Sequence, residues 1–184
     1  MSEALALTTL VTATIPALVC ACVGMRHLSS PRALSQALRQ PPRLGQSLTQ
    51  AAALRVARAW GAVEVVTGVS VCLLVFLPFP YYAQLVGLIW LSTVYAGLST
   101  WLVVLWRRFP GATCGCGGNA EPADGPAFVR ASVLGSCAAI STLVLLAGPQ
   151  PDTPQLRWLL LPLAAVTAFI IWNVPSSIRM ARAV

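Results

Sequence analysis

The stretch that decides the fold is ARAWGAVEVVTGVSVCLLVFL, residues 57–77. Beyond Arg58 its only charged residue is Glu64, and most of the others are apolar. About 20 apolar residues in a helix span the hydrocarbon core of a bilayer. The stretch therefore predicts a transmembrane helix.

Four similar apolar runs flank this one. Only 9% of the 184 residues are charged and 57% are hydrophobic, with a mean hydropathy of +0.76, whereas a soluble domain carries about 25% charged residues. This composition excludes an ordinary soluble domain and predicts an all-α, polytopic membrane bundle forming a single domain over residues 1–184. The five predicted transmembrane helices cover about 4–25, 57–77, 83–106, 127–147 and 156–178.

The basic residues are all arginines, twelve in number, and they lie mainly at the ends of the apolar runs. Arginines placed there orient membrane helices, so they do not indicate a nucleic-acid partner. Eleven fall on the side of segment 26–58, the cysteine loop and the C-terminus, and Arg157 alone falls on the other. We therefore expect a multi-pass protein of the plasma (inner) membrane bilayer, with the N-terminus outside and the cysteine loop and C-terminus in the cytoplasm.

The cysteine loop, residues 107–126, separates the third and fourth runs and contains Thr113-Cys114-Gly115-Cys116-Gly117-Gly118-Asn119. Two cysteines so close can form only a strained disulfide, because a relaxed bridge needs Cβ atoms about 4 Å apart with a defined torsion. Strained, accessible disulfides tend to be labile or catalytic, and glycine gives the backbone freedom to close a small ring. We predict that Cys114 and Cys116 exchange thiols and disulfides; the alternative is a flexible loop with two incidental cysteines.

Glu64 is the one carboxylate inside a membrane run, where an ionisable side chain is costly and is therefore a functional candidate. Small residues at helical spacing share its face and allow close approach of another helix: Ala57, Gly61, Gly68 and Cys72. Glu64 should point inward, either as a proton donor or acceptor for thiolate chemistry or in a structural hydrogen bond or ion pair. The candidate ion-pair partner is Arg130, which opens the fourth run at a similar depth.

The other cysteines and the single histidine carry weaker signals. Cys72 and Cys137 lie mid-membrane, where small apolar packing is the expected role. Cys20 and Cys22 are two apart on a helix and do not face each other, although one of them could approach the loop. His27 ends the first run and is interpreted as an interfacial polar residue. A closed zinc site needs four Cys or His ligands and the loop offers two, so we predict no metal site.

The loop and Glu64 together resemble a known family. A Cys-Gly-Cys-x-Gly loop after a helix ending in basic residues, with Arg130 about a dozen residues on, is similar to the MauE/DoxX-like redox-associated membrane proteins. The glutamate of Trp60-Gly61-Ala62-Val63-Glu64 matches as well. The resemblance covers about residues 5–148. Gly117 and Ala131 depart from it, since the family usually has phenylalanine and asparagine there.

The resemblance implies a four-helix redox core, here with one further helix, that supports disulfide formation or thiol transfer beside a thioredoxin-like protein, as in methylamine utilisation. The expected site is Cys114, Cys116, Glu64 and Arg130, acting as a thiol–disulfide oxidoreductase. In that chemistry a partner's thiolate attacks one loop sulfur, a mixed disulfide forms, and the neighbouring cysteine resolves it. Two other classes stay open: a non-catalytic membrane assembly factor, and a protein handling metals or small solutes through the same cysteines. No cofactor motif is evident, and a quinone stays open as the terminal electron carrier.

Overall fold

The computed structural model describes residues 3–41, 47–115, 122–147, 160–171 and 173. These form helices α1 (Glu3–Ser29), α2 (Arg32–Arg39), α3 (Gln50–Phe76), α4 (Tyr81–Arg108), α5 (Gly125–Leu146) and α6 (Leu160–Ile171). Helices α1, α3, α4 and α5 are long and apolar enough to cross a membrane. The predicted all-α polytopic bundle is confirmed. In place of a fifth long span the structure describes the shorter α6, and the rest of run 156–178 lies outside the described residues.

Helix α3 begins seven residues before the predicted apolar run. The Thr49 hydroxyl accepts a hydrogen bond from the Ala52 backbone N–H (3.2 Å) and caps the helix. No proline or glycine interrupts residues 50–57, so the backbone stays helical from the cap onward. Hydropathy marks where a helix meets lipid, whereas caps and breakers mark where it begins.

The four long helices form a bundle in which α1 and α4 each pack against α3 and α5. The α1–α3 seam depends on glycines: a Cβ at Gly61 would lie 2.9 Å from the Gly24 carbonyl oxygen, and one at Gly68 would collide with the Ala17 carbonyl. Without a hydrophobic driving force between helices in lipid, such close van der Waals packing is the main source of association. The small face predicted around Glu64 therefore does turn inward, although Cys72 is only half-buried.

Backbone pairing between residues 112–113 and 122–123 holds the two ends of the cysteine loop together, and we call this pairing the neck. Thr113 and Pro122 form an isolated antiparallel bridge, and the Ala123 N–H donates to the Ala112 carbonyl (2.8 Å). Gln40, just after α2, holds Thr113 at both ends: its Oε1 accepts from the Thr113 N–H (2.8 Å), and its Nε2 donates to the Thr113 hydroxyl (2.7 Å). The part of the loop around Thr113 and Gly115 therefore lies on α2, which itself packs on α3.

Gly115 packs against α2 at a position where both the backbone conformation and the available space disfavour a side chain. Its φ of +68° is in the left-handed region, which favours glycine. A Cβ there would also stand 2.7 Å from Leu34 Cα. The glycine between the two cysteines thus serves close backbone contact as well as turn geometry.

Candidate functional site

A chain of hydrogen bonds joins the membrane carboxylate to the cysteine loop. The Trp60 indole N–H donates to Glu64 Oε1 (2.9 Å). Glu64 Oε2 lies 2.6 Å from His27 Nδ1, and His27 Nε2 lies 2.9 Å from the Gly115 carbonyl oxygen. Glu64 is 3% exposed and His27 is 2% exposed, so these two side chains lie inside the bundle, whereas Trp60 is exposed.

The geometry fixes how many protons this chain holds. A carbonyl oxygen only accepts, so His27 Nε2 must carry a hydrogen and donate it to Gly115. One further proton then lies between Nδ1 and Oε2, which makes the pair either imidazolium with carboxylate or imidazole with carboxylic acid. Both arrangements are neutral overall, which suits a buried pair. We call this pair the His27–Glu64 couple.

Cys114 is buried, with 0% of its surface exposed. It packs in an apolar cluster with Leu102, Leu105 and Ala127. The sequence predicted a thiol in an accessible loop, and for Cys114 this is wrong, because the neck and α2 fold the start of the loop inward. Cys116, the second predicted thiol, lies outside the described residues.

The predicted site residues that the structure describes line one cavity of about 310 Å³. Cys114, Glu64 and Arg130 are all in its wall, together with His27. Arg130 is buried on α5. Of the alternatives left open for Glu64, the described residues show hydrogen bonds from its carboxylate to His27 and Trp60 and no ion pair with Arg130.

The remaining cysteines are spread through the bundle. The Cys20 thiol donates to the Glu64 backbone carbonyl (3.4 Å) and also lines the cavity. Cys72 and Cys137 are half-buried, and Cys22 is exposed. Among the described residues no three His, Cys, Asp or Glu side chains are grouped to hold a metal.

His27 is the residue that sequence reasoning missed. It was interpreted as an interfacial polar group, yet it bridges Glu64 and the loop. A signal was present in the chain: Gly24 precedes His27 by three residues, and Gly61 precedes Glu64 by three. In each helix a glycine one turn away lets the other backbone approach, which brings the two ionisable side chains into contact.

Comparison with known proteins identifies a family. The family described as methylamine utilisation protein MauE matches residues 4–145. This range includes the four long helices almost to their ends, the cysteine loop, His27, Glu64 and Arg130. The match gives no support to the DoxX-like part of the resemblance. No curated protein and no solved structure matches the chain. The chain belongs to the MauE family.

Proposed function

We propose that this protein is a membrane thiol–disulfide exchange protein that serves a thioredoxin-like partner in methylamine utilisation. Cys114 and Cys116 are the exchanging pair, and the His27–Glu64 couple supplies and removes a proton. The observation that carries the proposal is the hydrogen bond from His27 Nε2 to the Gly115 carbonyl. It ties a buried proton-holding pair to the one residue that separates the two cysteines.

Burial assigns different roles to the two sulfurs. A partner protein's thiolate cannot reach Cys114 in this conformation, since the side chain is fully enclosed. The attack therefore falls on Cys116 Sγ of a Cys114–Cys116 disulfide. The partner–Cys116 bond forms, the intrachain S–S bond breaks, and Cys114 leaves as a thiolate. The partner's second thiol then displaces Cys116, so the partner is oxidised and the loop is left as a dithiol.

The proton needed by Cys114 comes from the His27–Glu64 couple. His27 and Cys114 line the same cavity. The ring can pass its Nε2 proton to the thiolate, which breaks its hydrogen bond to the Gly115 carbonyl, while Nδ1 takes the shared proton from Glu64. The couple is then neutral imidazole with a carboxylate, one negative charge more than before. Such positioned proton transfer typically contributes about 10²–10⁴-fold to a rate.

Arg130 has an electrostatic role in this scheme. Its guanidinium stays protonated under all conditions in proteins, and it lines the wall that holds Cys114 and Glu64. A permanent positive charge there favours the thiolate and the carboxylate that appear during exchange. Arg130 thus stabilises charge without itself exchanging a proton.

Trapping of the mixed disulfide tests the proposal. A thioredoxin-like partner whose second cysteine is replaced by serine should form a covalent adduct with the oxidised full-length protein. The adduct should survive Cys22→Ser, which removes an exposed thiol outside the loop, and should vanish with Cys116→Ala. A stable but non-covalent complex, unchanged by Cys116→Ala, would instead identify an assembly factor and contradict the proposal.

A further inference from the structure

The exposed residues in the wall of the cavity beside Cys114 all lie on α3 and α4: Val56, Trp60 and Gly97. The two helices touch near the turn that joins them: the Trp90 indole N–H donates to the Thr67 hydroxyl (3.0 Å), and a Cβ on Gly87 would lie 2.8 Å from Leu74 Cδ1. The cavity lies farther from that turn, where the helices no longer fill the space between them.

The register of the helices locates the opening. Seven residues back from Thr67 on α3 is Trp60, and seven residues on from Trp90 along α4 is Gly97. Seven residues of an α-helix rise about 10 Å. Because α3 and α4 are antiparallel, Trp60 and Gly97 lie at the same level, about 10 Å from the Thr67–Trp90 contact. Both line the cavity and both are exposed, and a Cβ at Gly97 would meet nothing within 4 Å. This Trp60–Gly97 gap is the mouth of the cavity.

The walls describe the chemistry of an occupant. Most lining side chains are apolar or aromatic, among them Val56 and Trp101 near the mouth, while the polar groups His27, Glu64 and Arg130 lie among them. An apolar cavity of about 310 Å³ with a few convergent polar groups is typical of a small-molecule site. A ligand that enters from lipid must be lipid-soluble, and a lipid acyl chain would make no use of a thiol, a proton couple and a cation.

We propose that the cavity takes a lipid-soluble quinone through the Trp60–Gly97 gap, and that the quinone reoxidises the loop dithiol. The redox half rests on the proposed function, whereas binding does not. In the reaction two S–H bonds break and one S–S bond forms between Cys114 and Cys116. The two electrons and two protons reduce the quinone to its hydroquinone, with two new O–H bonds. Arg130 offers donors to a quinone oxygen, and the His27–Glu64 couple relays protons.

Binding is tested with a photoreactive azido-benzoquinone bearing a short alkyl tail, added to the full-length protein in lipid nanodiscs. Crosslinks should map by mass spectrometry to the peptides carrying Trp60 or Trp101. Gly97→Phe fills the mouth and should reduce the yield at least tenfold. Ala96→Phe is the matched control, since Ala96 is exposed on the same helix without lining the cavity, and it should leave the yield unchanged. Gly97→Ala, with open space for its methyl, should keep binding and guards against a folding defect.

Oxidation is tested by mass-tag alkylation of the reduced protein after addition of decyl-substituted benzoquinone. Wild type and Ala96→Phe should form the Cys114–Cys116 disulfide, and Gly97→Phe should not. Cys114→Ala should retain crosslinking and lose oxidation. Equal crosslinking of both phenylalanine variants, or a phospholipid that the quinone fails to displace, overturns the inference. If the partner exchanges disulfides but quinone never oxidises the loop, this inference fails and the proposed function stands. If the quinone crosslinks at the mouth but no partner exchanges disulfides, the proposed function fails and quinone binding stands.

Discussion

Replacement of Glu64 separates proton transfer from structure, because two substitutions change its hydrogen bonds differently. In Glu64→Gln the amide oxygen still accepts from the Trp60 indole, and the amide nitrogen donates to His27 Nδ1. His27 can then keep its Nε2–H on the Gly115 carbonyl, so all three hydrogen bonds survive. What is lost is the proton between Nδ1 and Oε2. Glu64→Ala instead removes both contacts of the carboxylate and leaves the buried His27 Nδ1 without a partner, whereas Trp60 is 38% exposed.

The magnitudes follow from this count. One unsatisfied buried group costs about 1–3 kcal/mol, so Glu64→Ala should lower the free energy of unfolding by about that amount, and Glu64→Gln by about 1 kcal/mol or less. The exchange rate of Glu64→Gln should nevertheless fall about 10²–10⁴-fold, the usual contribution of a positioned proton-transfer group.

The assay is stopped-flow oxidation of a thioredoxin-like dithiol by the oxidised protein, read beside thermal unfolding in the same nanodiscs. Ser141→Ala serves as the control: this buried hydroxyl on α5 bonds to Thr12 outside the cavity, so its loss should lower stability by about 1 kcal/mol with an unchanged rate. Near-normal exchange by Glu64→Gln across pH would refute the proton role and leave Glu64 a structural residue.

Three further changes test the loop and its orientation. Gly115→Ala forces a φ of +68° on an L residue and a contact at 2.7 Å, so it should release the loop from α2 and lower the free energy of unfolding by about 1–2 kcal/mol or more. The control, Gly97→Ala, should be neutral or stabilising. Hydrogen exchange of the loop amides measures the release, and equal protection in both variants would contradict the packing argument. Cys114→Ala should end exchange with the bundle folded, but Cys114→Ser should also lose about 1–3 kcal/mol by burying a hydroxyl; equal melting of the two would argue against burial. In a cysteine-free chain, Ser30→Cys should resist a membrane-impermeant maleimide in intact cells and Tyr82→Cys should react; the reverse pattern would place the cysteine loop outside.

The sequence predicted the parts of the site that depend on periodicity. Ala57, Gly61, Glu64 and Gly68 recur on one helical face, and that face does pack inward against α1. Arg130 was expected at the depth of Glu64, and the two line one cavity. These conclusions need only the spacing of residues on a helix and the cost of a charge in lipid.

The contacts of the site could not be predicted in the same way. His27 and Glu64 are 37 residues apart and His27 and Gly115 are 88 apart, so no local pattern joins them. The burial of Cys114 was missed because loops normally run over the surface, and nothing short of the α2 packing shows that this one turns inward. The choice between a hydrogen bond and an Arg130 pair for Glu64 stayed open, since similar depth does not determine which neighbour faces a side chain.

The Gly115 peptide unit takes part both in packing of the loop on α2 and in the hydrogen bonds of the His27–Glu64 couple. Its carbonyl ends the chain of hydrogen bonds from Trp60, and its backbone seats the loop against Leu34. Thermodynamic linkage is reciprocal: if release of the shared proton changes the free energy of seating the loop, then unseating the loop changes the proton affinity of the His27–Glu64 couple by the same factor. Under the proposed function, a partner that drew the loop away from α2 to reach a sulfur would then also change the proton affinity of the couple, so docking and proton delivery would be coupled.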